Sequence, residues 1–265
     1  MFKWINAVSY TAMVVVNALA MFGKIGGTTT SEISALYSNL LTPAGWTFMI
    51  WSAIYGLLLI FIIGPFAKPE GTAAMLAEKL GGWFALSCLM NILWLVMWHS
   101  KMAIASWVVM IGLFMTLYVM FNKITNGTSL ISADVSPIGL EFASSGLSMY
   151  FGWICVAMLA NTMAMLVDIG MDGYGVAANI LTIVMLAIGA VVIAMMSLYS
   201  GNWVLTITGM WAYAGILYRH MAPGELKGQY LGIIVTGIVG MVLMAGGLSL
   251  AYMSGNKVNS GAKAQ

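Results

Sequence analysis

Charge is what this sequence has least of. Only 7% of its 265 residues are Asp, Glu, Lys or Arg, against 62% hydrophobic, and the mean hydropathy is +0.97. A soluble globular domain carries roughly 25% charged residues, so no water-facing surface can be assembled from this composition. The net charge is +2 and no basic run occurs, which excludes the electrostatic footprint of a nucleic-acid partner. Cysteine is nearly absent. Cys88 and Cys155 both fall inside apolar runs, where they read as small packed residues and say nothing of redox compartment.

What the chain has is a series of apolar runs of about 20 residues, the length a bilayer core requires. Backbone polar groups in hydrocarbon must pair within helices or closed barrels, and barrel strands alternate over about 10 residues. These runs are continuous, so the fold class is all-α, a polytopic transmembrane helix bundle. Eight spans are predicted, near 4–22, 45–66, 81–98, 102–121, 146–167, 176–199, 203–218 and 230–253. Between the first two lies a Gly- and Thr-rich loop, in which 31–40 suits a short surface helix carrying Ile33, Leu36 and Tyr37. Residues 65–79, with Pro69 and Gly71, and 122–145, with Asp134, Pro137 and Glu141, read as longer connections. Ser200-Gly201-Asn202 is barely a turn, so the helices it joins are antiparallel neighbours.

With eight spans both termini share a side. That side holds Lys3, Lys68, Lys79, Lys123, Lys257 and Lys263, and the other holds Lys24, Lys101, Arg219 and Lys227. The positive-inside rule then puts the termini in the cytoplasm by a thin margin. Compact loops suit a bacterial inner membrane. Lys3, the apolar run and Ala18-Leu19-Ala20 also resemble a cleavable signal; a retained first helix is the competing reading.

Three spans concentrate aromatic and polar residues on one face. Phe48, Trp51 and Tyr55 fall at i, i+3 and i+7; Asn91, Trp94 and Trp98 repeat the spacing; Tyr150, Trp153, Ala157 and Asn161 extend it over three turns. Pro43 precedes the first of these helices, where its missing N–H suits a helix start. Trp4, Trp98 and Trp203 fit an interfacial belt, whereas Trp51, Trp94 and Trp153 lie about two turns inside. The amides of Asn91 and Asn161 either bond a neighbouring helix, worth about 1 kcal/mol, or anchor a ligand in an apolar cavity.

The run Thr42-Pro43-Ala44-Gly45-Trp46-Thr47-Phe48 through Trp51 and Tyr55 resembles the Pro-Pro-Gly-Trp-Val-Phe…Trp…Tyr signature of the tryptophan-rich sensory protein/translocator (TspO/MBR, peripheral benzodiazepine receptor-like) family. Asn91-Ile92-Leu93-Trp94 is similar to that family's third-helix motif, and Tyr150-Phe151-Gly152-Trp153 with Ala157 and Asn161 to its fifth. Met149 stands where the family has proline. The family has five helices, so the resemblance covers about 1–167, followed by three further helices at 168–253 and a polar tail at 254–265. It implies a retained first helix and a five-helix bundle whose cavity is capped by the first loop. It also implies binding of a tetrapyrrole such as a porphyrin, or of a sterol, as sensor, carrier or regulator. The positions that match its cavity are Trp51, Tyr55, Asn91, Trp94, Tyr150, Trp153 and Asn161, and Tyr37 and Pro43 match its cap.

Other chemistry has weaker support. His99 closes the third span with no second intramembrane histidine, since His220 falls in a predicted loop; an interfacial histidine is favoured over a haem ligand. Asp168 and Asp172 suit a solvated turn better than a cation site. The 24 methionines are scattered, which favours apolar packing over a copper path. No carboxylate or lysine sits at mid-span, as an ion or proton path would need. Neither a nucleophile–base pair nor a metal cluster is visible, so the expectation is a non-enzyme. Gly228, Gly232, Gly237 and Gly240 suit close helix approach, for a homodimer or for docking of the last helices. The expected partners are the lipid bilayer and a hydrophobic small molecule. The alternatives are a secondary transporter of a small uncharged solute and a structural subunit of a membrane complex.

Overall fold

The computed structural model describes residues 2–23, 25–125, 137–224 and 226–254. Its helices are α1 (Phe2–Met21), α2 (Thr30–Leu36), α3 (Ile50–Ala67), α4 (Thr72–Leu80), α5 (Trp83–His99), α6 (Ala103–Thr125), α7 (Pro137–Asp168), α8 (Val176–Ser200), α9 (Trp203–Met221) and α10 (Leu231–Met253), and a 3₁₀ turn at Gly45–Met49 leads into α3. Each predicted span coincides with one of these helices. Lys24, Asp134, Lys257, Lys263 and the tail after Ser254 lie outside the described residues.

Among the described residues, six segments are long and apolar enough to cross a membrane, and the α4–α5 pair, bent by 70°, makes a seventh if taken as one span. Alone, α5 has 17 residues. The remaining predicted span, α9, is more polar than the rest, and the packing explains why. Thr206, Thr208, Tyr213 and His220 are all buried against neighbouring helices, so α9 has little lipid-facing surface to keep apolar. Elsewhere Val8, Ile60, Val108, Ile188 and Val242 project outward. Water would penalise such a belt, and lipid does not. This is an integral, multi-pass membrane protein.

The eight long elements alternate in direction. One end gathers the first loop, the end of α5, the α7–α8 loop and the end of α9, joined by bonds such as Trp98 Nε1 to Thr30 O at 3.3 Å and Leu40 N to Gly173 O at 3.2 Å. Opposite, Trp4 meets Phe66 edge-on at 4.8 Å. The turn from α8 to α9 is as tight as predicted. Gly201 adopts φ +61°, and Asn202 Oδ1 accepts from Leu205 N at 2.9 Å to cap α9.

Three sequence expectations need correction. Residues 65–79 are not simply a connection, because α3 runs through Pro65 and α4 follows, burying Leu76, Ala77 and Leu80. Its apolar face is too short to stand out as a span. The connection after α6 is shorter than 122–145, since α6 continues to Thr125 and α7 begins at Pro137. His220 lies in the last turn of α9, not in a loop, because its Nε2 is held by Leu40 O at 2.8 Å.

The glycines of α10 dock within the chain. A Cβ on Gly232 would meet Ile183 at 2.8 Å, on Gly237 Leu217 at 2.7 Å, and on Gly240 Tyr213 at 2.9 Å. Small residues here let α10 lie against α8 and α9, the packing available where apolar burial gives no drive.

Candidate functional site

Below the first loop, α3, α5, α6 and α7 line a cavity of about 50 Å³. Its walls carry Phe48 and Trp51 from the 3₁₀ turn and α3, Trp94 and Trp98 from α5, Met110 from α6, and Trp153, Ala157, Ala160, Asn161 and Ala164 from α7. A second lobe of about 100 Å³ adjoins it on the α1 side, lined by Asn17, Tyr55, Leu95 and the shared Phe48, Trp51 and Trp94. Successive turns of each helix bring its i, i+3 and i+7 residues to the same wall.

The aromatic rings brace one another. Trp51 stacks on Tyr55 at 5.5 Å and an 18° interplanar angle, and meets Tyr150 and Trp153 edge-on at 5.8 and 6.2 Å. Phe48 meets Trp153 at 5.9 Å, and Trp94 stacks on Trp98 at 6.0 Å. These separations fall in the favourable range for ring pairs.

The cap begins at α2. Thr29 and Glu32 form a reciprocal capping box, with Thr29 N donating to Glu32 Oε2 at 2.6 Å and Glu32 N to Thr29 Oγ1 at 3.2 Å. Those bonds hold the exposed Glu32 carboxyl below its ordinary value. Tyr37 packs on Trp98 at 5.4 Å and donates to Lys101 O at 3.1 Å. Burial and the Asp168 charge push its hydroxyl up. Buried Asn39 folds the next turn, its Oδ1 accepting from Leu41 N at 2.9 Å and Thr42 N at 3.1 Å.

The last helices hold this cap from outside. Arg219 Nη1 donates to Asn39 O at 2.7 Å and Thr42 O at 3.0 Å, while Nη2 donates to Ser38 Oγ at 3.0 Å and Tyr174 OH at 2.9 Å. Trp211 Nε1 donates to Thr47 O at 3.0 Å, and Gly215 O accepts from Ala44 N at 3.1 Å. Gly215 has no room for a side chain: a Cβ would fall 2.7 Å from Thr47 Cγ2. The cap is thus clasped between α5 and α9.

Of the residues singled out from sequence, Pro43, Trp51, Trp94, Trp153 and Asn161 line the cavity under the cap and Tyr55 the second lobe. Tyr37, Asn91 and Tyr150 support it from behind. Asn91 Oδ1 accepts from Asn17 Nδ2 at 2.7 Å, tying α1 to α5. Its amide nitrogen and the Tyr150 hydroxyl are both buried without a hydrogen-bond partner. Sequence reasoning missed Thr30, Ser34, Asn39, Thr42, Met110 and Ala212 as lining residues. It assigned Trp98 to the interfacial belt, although Trp98 continues the stripe of Asn91 and Trp94. Adjacent Arg219 and His220 at a helix end were the one legible sign of the clasp. His99 is buried and bonds Thr30 Oγ1 at 3.2 Å and Ile25 O at 3.1 Å, which makes it part of the cap's footing. Among the described residues, no three His, Cys, Asp or Glu side chains are placed to hold a metal.

The profile of the TSPO-like protein family matches residues 3–249, almost the whole chain. The chain belongs to the TSPO-like protein family. No curated protein and no solved structure matches it. The match to this family continues through α8, α9 and most of α10, well past the motifs at 1–167 that carry the resemblance in sequence.

Proposed function

We propose that this protein binds a hydrophobic, flat small molecule of tetrapyrrole or sterol type in the aromatic cavity, and acts on its behalf as a sensor, carrier or regulator. One observation carries the reading: three aromatic stripes from separate helices converge on one apolar space with a few polar atoms. Small-molecule sites take this form, an apolar lining with a few convergent polar groups. Ring faces such as Trp51 and Trp153 suit a flat polycycle. The expected setting is a bacterial inner membrane with cytoplasmic termini. The five helices up to residue 167 would supply most of the binding unit and the last three its support.

Tryptophan emission reports directly on the site. Titration of the detergent-solubilised protein with protoporphyrin and with a sterol should give saturable quenching. Trp51→Leu combined with Asn91→Ala should weaken it severalfold. Linear, unsaturable quenching, or saturation indifferent to that double variant, would sink the proposal. Uptake of a small polar solute into proteoliposomes would favour a transporter instead.

A further inference from the structure

The chain has two histidines, and both hold the first loop, though in different ways. His99 is bonded at both ring nitrogens, Nδ1 to Ile25 O at 3.1 Å and Nε2 to Thr30 Oγ1 at 3.2 Å. A carbonyl accepts and a hydroxyl does either, so a charged ring with two N–H donors keeps both bonds. His220 has one partner. Its Nε2 lies 2.8 Å from Leu40 O, which can only accept, so the proton of the neutral ring sits on Nε2. Nδ1 is then a bare lone pair, buried without a hydrogen-bond partner on a residue of 0% exposure.

The groups around this ring do not welcome a second proton. On its own helix the charged neighbour is the Arg219 guanidinium, itself a cation. The first loop presents the Leu40 carbonyl, already bonded to Nε2, and the start of α10 presents the Tyr230 ring edge-on at 5.9 Å. Tyr230 OH donates elsewhere, to Tyr174 O at 3.0 Å. In the α7–α8 loop, Asp172 Oδ1 accepts from Tyr174 N at 2.9 Å, and Tyr174 OH accepts from Arg219. Helix α8 carries no charged residue. Glu225 and Lys227 fall between α9 and α10, and Glu225 lies outside the described residues. A proton on Nδ1 would leave a buried cation with an unpaired N–H beside a second cation, which the closed cap strongly disfavours.

We infer that His220 is an acid-released latch: its neutral ring holds Leu40 and the first loop against α9, and its protonation opens the cap. The ring lies past the predicted span near 203–218. Burial pushes it below its ordinary value of 6.5; the Leu40 bond opposes this and the Arg219 charge adds to it. The closed-cap value is therefore the lower one. The latch is complete above about 6.5 and is lost progressively as pH falls from there toward the closed-cap value. One proton taken up only by the open cap raises its population by about tenfold at most between pH 7.5 and 5.5. Glu32 stays out of this interval, since its carboxyl is held below 4.5.

Hydrogen exchange on the full chain in nanodiscs at pH 7.5 and 5.5 tests the latch, each amide being referred to its intrinsic rate. Protection at Leu40, Leu41 and Thr42 should fall by about five- to tenfold at the lower pH, while α5 and α6 amides keep theirs. His220→Gln can donate to Leu40 O and does not titrate, so its cap should be equally protected at both pH values. His99→Gln and Glu225→Gln should each retain the wild-type fall. A wild-type cap that is indifferent to pH, a fall that survives His220→Gln, or a fall lost in either control overturns the inference. If His220→Gln does not fold, histidine ¹⁵N NMR of the wild type decides. The His220 ring, distinguished by the signals that remain in His99→Gln, should be the Nε2–H tautomer at pH 7.5. It should gain its second proton over the interval in which residues 40–42 lose protection. A fully protonated His220 under a cap still protected overturns the inference as well.

Discussion

Removing the guanidinium of Arg219 should release the cap without unfolding the bundle. In the structure this side chain makes four bonds, two of them to the backbone carbonyls of Asn39 and Thr42 at the cavity's roof. Hydrogen bonds to charged groups contribute about 1.5–3 kcal/mol each, and water replaces part of that at a half-exposed residue. A net loss of about 2–3 kcal/mol follows for Arg219→Ala, concentrated in the cap, which raises its open population by about 30- to 150-fold. Hydrogen exchange resolves this by site. Leu40 N–H bonds Gly173 O, and Leu41 and Thr42 N–H bond Asn39 Oδ1, so these amides report cap opening. Their exchange should accelerate by that factor while α5 and α6 amides keep their protection. Arg219→Lys should fall between, because it keeps the charge and loses the planar fork. Unchanged exchange at 40–42, or equal losses across α5 and α6, would refute the clasp.

Three further outcomes follow from the same contacts. Gly215→Ala should destabilise the protein by about 1–3 kcal/mol through overpacking against buried Thr47, and Thr47→Ala should restore part of that in a double-mutant thermal-melt comparison. Asn202→Ala removes the α9 cap and the Nδ2 bond to Ser148 Oγ at 2.8 Å; the expected cost is about 1 kcal/mol, and a melting temperature equal to wild type would count against it. Glu32 gives a pH signature. Its folded carboxyl is held below the ordinary 4.5, so the contribution to α2 is complete above that value and disappears as pH falls through the lower folded value. The protection of the Thr29 amide, relative to its intrinsic exchange rate at each pH, should fall on acidification in the wild type and stay constant in Glu32→Gln.

Much of this architecture was legible because lipid imposes a simple rule on sequence. A continuous apolar run of span length is a helix, and all eight such runs are helices here. The rule weakens where lipid is not the neighbour. Most of helix α9 packs against protein, so Thr206, Thr208 and His220 need no apolar face, and α4 is too short to register. The site was half legible. Periodicity placed Trp51, Trp94, Trp153 and Asn161 on inward faces, because residues at i, i+3 and i+7 share one side. It could not tell which amide lines the space and which ties helices together. Asn161 and Asn91 look alike in sequence, and only the arrangement of Ser106 and Asn17 separates them. The cap's clasp pairs residues roughly 180 positions apart in the chain, beyond any local pattern.

Photolabelling decides most directly whether the aromatic cavity is the binding site. A diazirine-bearing steroid, activated in nanodiscs and mapped by peptide mass spectrometry, has two apolar places to go. One is the cavity under the cap. The other is an outward groove of about 350 Å³ lined by Leu57, Phe142, Met149, Trp203 and Ile207. Saturable, competable labelling of α5 and α7 peptides around Trp94 and Asn161 is the predicted result. Labelling confined to the peptides around Phe142 and Trp203, or labelling no competitor reduces, would contradict the account.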